Sequence, residues 1–353
     1  MNRLDLIRGG IELLFYSGAA RLLSPLCRGI GAVFMLHHVR PGGGQQHGFA
    51  PNRSLEISPE FLNRVIEHVR SLGYEIISIA EAVERIGAAR RQRTRPFVAF
   101  AIDDGNRDIL VHAWPIFRKH SCPFTIFVAP AITEGTCELW WRGLEAVIAG
   151  ESHLSITVGE HRFDLPTVTD AQKSAAWHRL YWAVRTMGEY EQRKFIRMLC
   201  AEHGIDLNAI CRAEAMTWDE LKAIASDPLC SIGAHTINHF SLGGLPAADA
   251  EAEIRGSAER IADRLGKRPR WLAYPYGDRM AASQREFDLA RKAGFEAAFT
   301  TRRGLIHSAH SKSMMALPRV SLNGLFQNLR YVEVMLSGAP SVIYNGFRRV
   351  VTV

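Results

Sequence analysis

The chain has 353 residues, of which 47% are hydrophobic and 22% charged, as is ordinary for a globular protein. This apolar content supports a sizeable core and excludes disorder as the main state, and no fixed period recurs that would indicate a coiled coil or a repeat array. The formal net charge of +7 is modest, and no dense Lys/Arg stripe with interleaved aromatic residues indicates a nucleic-acid partner.

Residues 1–30 are interpreted as an N-terminal amphipathic helix. The apolar stretch at residues 11–16 is interrupted by Glu12 and flanked by arginines, whereas a secretory signal needs a longer uninterrupted apolar run. No run of 18 uncharged apolar residues predicts a transmembrane helix. A weak association of this extension with a membrane surface is the alternative.

Strand and helix patterns then alternate along the chain. Residues 31–36, 97–102 and 124–129 are continuous apolar runs, which are typical of parallel strands buried on both faces. Ser58 and Pro59 indicate a helix start, as N-cap and first helical residue. The basic run at residues 90–95 precedes a predicted buried strand and is interpreted as a solvated loop.

Between residues 133 and 215 the strand rhythm is lost. Several helical patterns occur here, and Thr169 with Gln172 marks one helix start. We interpret 133–215 as a helical insertion in the same domain. The segment also carries four tryptophans, Trp140, Trp141, Trp177 and Trp182.

After the insertion the alternation resumes. The patterns are strands at 230–234, 271–274 and 295–300, a helix at 250–265, and a last strand near 318–320. Repeated alternation predicts a parallel sheet covered by helices. We therefore expect an α/β domain over residues 31–330, followed by a C-terminal extension at 331–353.

The six cysteines are irregularly spaced and form no Cys-x-x-Cys pair. This spacing indicates neither a disulfide framework nor a cysteine zinc site, so we expect buried thiols in a reducing compartment. Together with the N-terminal pattern this favours a cytoplasmic location, and a membrane-associated or periplasmic location is the alternative.

Polar residues gather where the predicted strands end. They are His37 and His38, Asp103 and Asp104, His235, and Pro275 with Tyr276. Because the carboxyl ends of parallel strands share one face of a sheet or barrel, we expect the chemistry of the protein there.

Two histidines and a carboxylate pair predict a metal site. His235 and His239 are four residues apart, which on a helical turn places both imidazoles on one side. Asp103 and Asp104 directly follow a buried strand, where two like charges are costly. The alternatives are ordinary polar histidines and a solvated Asp-Asp-Gly turn.

One Asp and two His would leave coordination positions open, as in catalytic rather than structural sites. We expect one divalent ion, with Zn²⁺ as the default and Co²⁺, Ni²⁺ or Mn²⁺ as alternatives. Such an ion would polarise a carbonyl and lower the pKa of a bound water.

These motifs resemble those of the polysaccharide deacetylases, carbohydrate esterase family four, which share a nodulation-protein-type deacetylase domain. Residues 100–105 resemble the family's Thr-Phe-Asp-Asp-Gly motif, 235–239 match His-Ser/Thr-x-x-His, and 272–277 are similar to the Pro-Tyr-Gly motif. Softer matches are His37-His38, 216–221 and 317–320. The resemblance covers about residues 31 to 325.

The resemblance implies a distorted (β/α) barrel that hydrolyses an N-acetyl group, less often an O-acetyl group, on a poly- or oligosaccharide and releases acetate. It implies that Asp103 is the general base and that Asp104, His235 and His239 hold the metal. It also implies that the backbone N–H of Tyr276 helps to bind the oxyanion.

Two departures from the family pattern concern catalysis. Many members carry an Arg that orients the base where this chain has Ala273, and Arg319 and Arg107 are the candidates to replace it. The late Leu-x-His motif, which supplies a general acid, has its nearest match at His307, with His310 second. Ordinary loop histidines are the alternative.

Three residues are expected to contact the sugar: His38, Pro275 and Trp141. A purely structural role is the alternative for His38. An aromatic face suits the apolar side of a pyranose, so Trp140 and Trp141 are candidates for stacking, with packing inside the insertion as the alternative.

Three functions remain open at this point. The first is a metal-dependent carbohydrate N-deacetylase of the chitooligosaccharide or exopolysaccharide kind. The second is a non-catalytic sugar-binding relic of the same fold, and the third is an amide hydrolase acting on a non-sugar substrate. The expected partner is a carbohydrate, and no obligate protein partner is inferred.

Overall fold

The computed structural model describes residues 3–43, 48–88 and 95–352, so most of the predicted basic loop lies outside the described residues. The strands are β1 (Gly31–Leu36), β2 (His38–Val39), β3 (Glu56–Ile57), β4 (Glu75–Ile76), β5 (Phe97–Ile102), β6 (Phe124–Val128), β7 (His153–Val158), β8 (His161–Pro166), β9 (Cys230–Ala234), β10 (Trp271–Ala273), β11 (Ala297–Arg303) and β12 (Leu317–Ser321). The α-helices are α1 (Arg3–Tyr16), α2 (Ala19–Cys27), α3 (Pro59–Ser71), α4 (Ile79–Ala88), α5 (Trp114–Lys119), α6 (Pro130–Thr133), α7 (Trp140–Gly150), α8 (Asp170–Arg185), α9 (Glu189–Glu202), α10 (Leu207–Glu214), α11 (Trp218–Ala225), α12 (Ala247–Leu265), α13 (Gln284–Lys292), α14 (Leu329–Leu336) and α15 (Ala339–Tyr344).

Seven parallel strands close into a barrel in the order β1-β12-β11-β10-β9-β6-β5, and β5 pairs back with β1. The closing pair runs in register from Gly31 opposite Phe97 to Leu36 opposite Ile102. Flanking helices cover the outside, so the predicted distorted (β/α) barrel is confirmed. The ladder between β11 and β12 shifts register between Phe299 and Arg303, which is one source of the distortion.

Strands β1, β5 and β6 are buried on both faces, which is why their sequences are nearly unbroken apolar runs. In β5, residues 97, 99 and 101 join a cluster that also contains Val33 of β1 and Leu317 of β12, and this cluster fills the barrel. Residues 98, 100 and 102 belong to the cluster beneath the outer helices. Odd-numbered positions of these strands therefore point inward.

The insertion is not wholly helical. Between α7 and α8 it contains an antiparallel hairpin, in which β7 pairs with β8 from His153 opposite Pro166 to Val158 opposite His161. The hairpin buries Leu154, Val158 and Leu165 while most of its other residues stay exposed or half-buried, so it has no continuous apolar run. The sequence prediction missed it for that reason.

The predicted leading helix is two helices, because Gly18 adopts a left-handed conformation (φ 73°) between α1 and α2. These helices pack against α14 and α15 of the C-terminal extension. Tyr331 donates a hydrogen bond to Glu12 (2.9 Å), and Arg21 pairs with Glu333 (3.0 Å).

Two further observations concern the chain as a whole. Among the described helices, none combines the length and the apolar character needed to cross a bilayer. All six cysteines are free thiols, and five of them are buried.

Candidate active site

Three buried side chains meet at the carboxyl ends of β5 and β9. Oδ1 of Asp104 lies 3.2 Å from Nε2 of His239 and 3.5 Å from Nε2 of His235. One ligand atom from each residue lies within 4.8 Å of the other two. The structure thus brings together the three residues that the sequence suggested as metal ligands.

The backbone around these residues is strained. Asp104 (φ 76°), Thr236 (φ 59°), His239 (φ 57°) and Tyr276 (φ 61°) adopt left-handed conformations that residues other than glycine rarely take. They are four of the six such residues in the described chain. Strain of this kind collects at functional sites and persists only where surrounding contacts enforce it.

The segment from His235 to His239 is a loop, which corrects the expectation of a helical turn. Helical hydrogen bonds are replaced by the carboxylate of Glu253 on α12, which accepts from the backbone N–H groups of Ile237 (2.9 Å) and Asn238 (2.8 Å). The buried guanidinium of Arg193 donates to the carbonyl of His239 (3.3 Å). Sequence reasoning missed both supporting residues, because each lies on a separate helix.

His235 is oriented to act as a ligand through Nε2. Nδ1 of His235 lies 2.7 Å from the carbonyl oxygen of Ala273, so Nδ1 carries the proton and donates it there. That bond leaves the Nε2 lone pair facing Asp104, as in metal-bound histidines oriented by an outer partner.

Asp104 fits a cation as well. Burial by itself would raise its pKa, but His235 and His239 outweigh burial and hold the pKa well below its usual value. Within the described structure its buried Oδ1 has no hydrogen-bond partner. A buried carboxylate oxygen of this kind needs compensation, and together with two imidazoles it forms a donor set that suits Zn²⁺ or a similar ion.

Asp103 continues the inward-pointing series of odd positions in β5 and forms a two-pronged ion pair with Arg319. Nη1 of Arg319 lies 2.7 Å from Oδ1, Nη2 lies 2.9 Å from Oδ2, and Nε donates to the carbonyl of Thr300 (2.9 Å). Burial opposes ionisation, but Arg319 and then His235 lower the pKa of Asp103 below its usual value. Asp103 is therefore held as an oriented carboxylate.

Arg319 takes the place of the family's base-orienting Arg, which is absent at Ala273. Positions 273 and 319 both point into the barrel, so a small side chain on β10 leaves room for a long one from β12. The other candidate, Arg107, pairs instead with Glu220 at 3.2 Å.

His37, rather than His38, faces the aspartates. Nε2 of His37 lies 3.9 Å from Oδ2 of Asp103, whereas Nδ1 of His38 lies 2.7 Å from Oδ2 of Asp108, which also binds Arg40. The reason is the alternation of side chains, because position 37 continues the inward series of β1. The structure favours the structural alternative for His38. Val33 points into the barrel, so odd-numbered positions of β1 point inward, and this alternation would have identified His37.

His307 lies at the wrong end of the barrel to be the general acid. The preceding residue, Ile306, accepts a hydrogen bond from Ile30 (2.7 Å) and pairs with Gly31, the first residue of β1. The aspartates follow the last residue of the neighbouring strand β5, and six strand residues span roughly 20 Å. The assignment of His307 is wrong, and His310, which is buried beside it, is excluded with it.

Aromatic side chains form one wall of the site. The Trp141 ring centroid lies 5.1 Å from that of His239 and 6.3 Å from that of Tyr276. Trp140 is fully buried and donates to Oη of Tyr276 (2.7 Å), so it packs in the insertion core. Pro275 is buried, and its carbonyl accepts from Gly277 (2.7 Å) in the turn that positions Tyr276.

A polar cavity of about 470 Å³ borders α7, the helix that carries Trp141. It is lined by Arg40, Arg53, Glu56, Arg142 and Glu145, together with Pro41, Gly42 and Ala50. The charged groups are tied to one another, since Arg142 pairs with Glu145 (2.6 Å) and with Glu214 (2.7 Å).

Comparisons with known proteins agree with this fold. Residues 201–298 match the family model described as polysaccharide deacetylase. The Streptococcus pyogenes deacetylase PplD, solved in complex with acetate, superposes with a TM-score of 0.55 at 15% identity, covering 86% of this chain and 97% of that one. IcaB from Ammonifex degensii gives 0.53 at 17% identity, covering 88% and 97% of the two chains.

A de-N-acetylase from Aggregatibacter actinomycetemcomitans gives a TM-score of 0.53 at 14% identity, covering 86% of this chain and 99% of that one. No curated protein sequence matches the chain. The family match and the shared barrel together confirm that the sequence resembles the polysaccharide deacetylase family.

Proposed function

We propose that the protein is a metal-dependent hydrolase that removes N-acetyl groups from a poly- or oligosaccharide and releases acetate. The observation that carries the proposal is the buried Asp104–His235–His239 group beside Asp103, a carboxylate that Arg319 holds ionised. The names of the similar structures, among them a de-N-acetylase and a deacetylase solved with acetate, support the same reaction.

Asp104, His235 and His239 would hold the ion, which supplies Lewis-acid polarisation and lowers the pKa of water when bound. Asp103 accepts a proton from the water whose oxygen attacks the acetyl carbonyl carbon, and Arg319 keeps Asp103 aimed at that proton. The backbone N–H of Tyr276 stabilises the negative charge on the carbonyl oxygen.

The carbon–nitrogen bond then breaks, and the amine leaves with a proton. With His307 excluded by its position, Asp103 is the group able to pass on the proton it took from water, and His37 is the imidazole beside it. Acetate and a free amino sugar are the products, so all atoms of water are accounted for.

The test measures acetate release from N-acetylated chitooligosaccharides and from poly-N-acetylglucosamine, with O-acetylated sugars as a separate substrate set. We expect release from the N-acetyl substrates, loss after chelation, and recovery with Zn²⁺, Co²⁺, Ni²⁺ or Mn²⁺. Elemental analysis should find one ion per chain, and His239→Ala should lose it because one of three ligands is removed.

Each rival function has its own outcome in this test. A metal-loaded protein that binds the sugars but releases no acetate from any of them would be a sugar-binding relic. Activity confined to non-sugar amides would identify the amide hydrolase instead.

Trp141 is the residue we propose to stack on the sugar. Trp141→Ala is expected to raise KM about tenfold with a smaller change in kcat, because stacking contributes to substrate binding and not to the reacting bond. The matched control is Trp182→Ala, which removes an exposed tryptophan of the same insertion and should leave KM unchanged. Equal KM values for the two variants would place the sugar elsewhere.

A further inference from the structure

Exposed apolar side chains are concentrated at the two ends of the chain. Of the 17 large hydrophobic side chains that are exposed in the described structure, ten lie in the terminal helices and the segment that follows α15. These ten are Leu6, Leu13, Tyr16, Leu22, Leu23, Leu26, Ile343, Tyr344, Phe347 and Val350. Monomeric proteins rarely expose such a concentration of apolar groups without a partner.

The elements that carry these side chains are neighbours. Leu22 (79% exposed) and Leu26 (66% exposed) lie one turn apart on α2, whose opposite side buries Ala20 and Cys27. Helix α2 packs against both α1 and α15.

The C-terminal segment continues the same surface. Arg349 donates to the carbonyl of Leu26 (3.1 Å), two residues after Phe347, which is 80% exposed. We call the surface formed by six of these exposed residues the terminal apolar surface. The six are Leu13, Tyr16, Leu22, Leu26, Tyr344 and Phe347.

The chain segments that carry the terminal apolar surface have a positive net charge. Residues 1–28 and 339–353 contain six arginines, no lysine and two carboxylates, a net charge of +4 out of +7 for the whole chain. The arginines are Arg3, Arg8, Arg21, Arg28, Arg348 and Arg349. Apolar side chains beside arginines are the pattern of helices that lie in the interface of an anionic bilayer.

We propose that the terminal apolar surface docks the protein onto an anionic lipid bilayer, as a peripheral and not a spanning attachment. The charge distinguishes lipid from a second copy of the chain. A symmetric dimer would bring the same arginine-rich segments together, and few carboxylates are there to neutralise them. Lipid phosphates supply the missing negative charge.

The attachment is compatible with an open active site and does not depend on the reaction. Helix α2 leads into the first residue of β1, so its end lies at the amino-terminal end of the barrel, whereas Asp104 and the histidines lie at the carboxyl end. A protein docked through α2 and α15 keeps the mouth of its barrel free for a polymer.

Sedimentation with vesicles tests the proposal, using phosphatidylcholine alone and phosphatidylcholine with about 30% phosphatidylglycerol. The full chain should bind the anionic vesicles, more weakly at high salt, and bind the neutral vesicles poorly. The triple variant Leu22→Ser/Leu26→Ser/Phe347→Ser should reduce binding about tenfold or more, and Arg348→Gln/Arg349→Gln should reduce it to a smaller extent.

The control is Val168→Ser/Met198→Ser/Met280→Ser, which removes three exposed apolar side chains outside the surface and should bind as the unaltered protein does. Thermal unfolding midpoints must match, so that a folding defect is recognised without reference to activity. Failure to bind anionic vesicles, or equal binding by both triple variants, overturns the proposal. The proposal is also overturned if sedimentation velocity shows a dimer that Leu22→Ser/Leu26→Ser/Phe347→Ser abolishes, because the surface would then bind a second copy of the chain.

Discussion

Asp103→Asn is expected to lower kcat by about a hundredfold to ten-thousandfold, the range that a positioned general base contributes. Asn has nearly the same shape but cannot accept a proton from water. The metal content should stay at one ion per chain, since the carboxylate of Asp103 pairs with Arg319 and does not belong to the ligand group of Asp104, His235 and His239. Single-turnover acetate release together with elemental analysis measures both quantities on the same sample.

The matched control for Asp103→Asn is Asp108→Asn, which alters a neighbouring buried carboxylate that binds His38 and Arg40 instead. We expect Asp108→Asn to retain a much larger fraction of kcat. A near-normal rate in Asp103→Asn with bound metal would show that another group is the base.

Arg319→Met should reduce the free energy of unfolding by about 3–5 kcal/mol, the usual cost of leaving one member of a buried ion pair without its partner. The side chain of Arg319 is 0% exposed and that of Asp103 is 2% exposed, so water cannot take over from the lost partner. In the folded fraction kcat should also fall, because Asp103 is no longer oriented, while KM changes little since Arg319 is a positioning residue that does not contact substrate. Denaturant unfolding and steady-state kinetics measure these effects.

Two variants separate loss of the pair from loss of packing. Arg319→Lys keeps the charge but not the two-pronged geometry, and should recover part of the stability and part of kcat. Arg319→Met/Asp103→Asn removes both charges and should be more stable than Arg319→Met alone. If the double variant were destabilised by the sum of the single effects, the two side chains would not be coupled.

The barrel was largely predictable because a strand buried on both faces is an uninterrupted apolar run with polar residues at its end. The fully buried runs at 31–36 and 97–102 have in the structure the bounds that the sequence indicates, and so does the partly buried strand at 230–234. The hairpin of β7 and β8 was not predictable in this way, since it buries one face only.

For the site, the sequence by itself determined the chemistry: two carboxylates after one strand and two histidines after another, at ends that a parallel barrel must bring together. The tertiary structure alone decided which residues support that chemistry. Arg319 meets Asp103 across 216 residues of sequence because β1 lies between β5 and β12 and both positions point into the barrel. The same inward alternation places His37, and not His38, beside Asp103. The pairing of Ile306 with Gly31 at the start of β1 excludes His307 as the general acid. No local pattern shows these contacts, because the pairing of distant strands is set by the packing of the whole barrel.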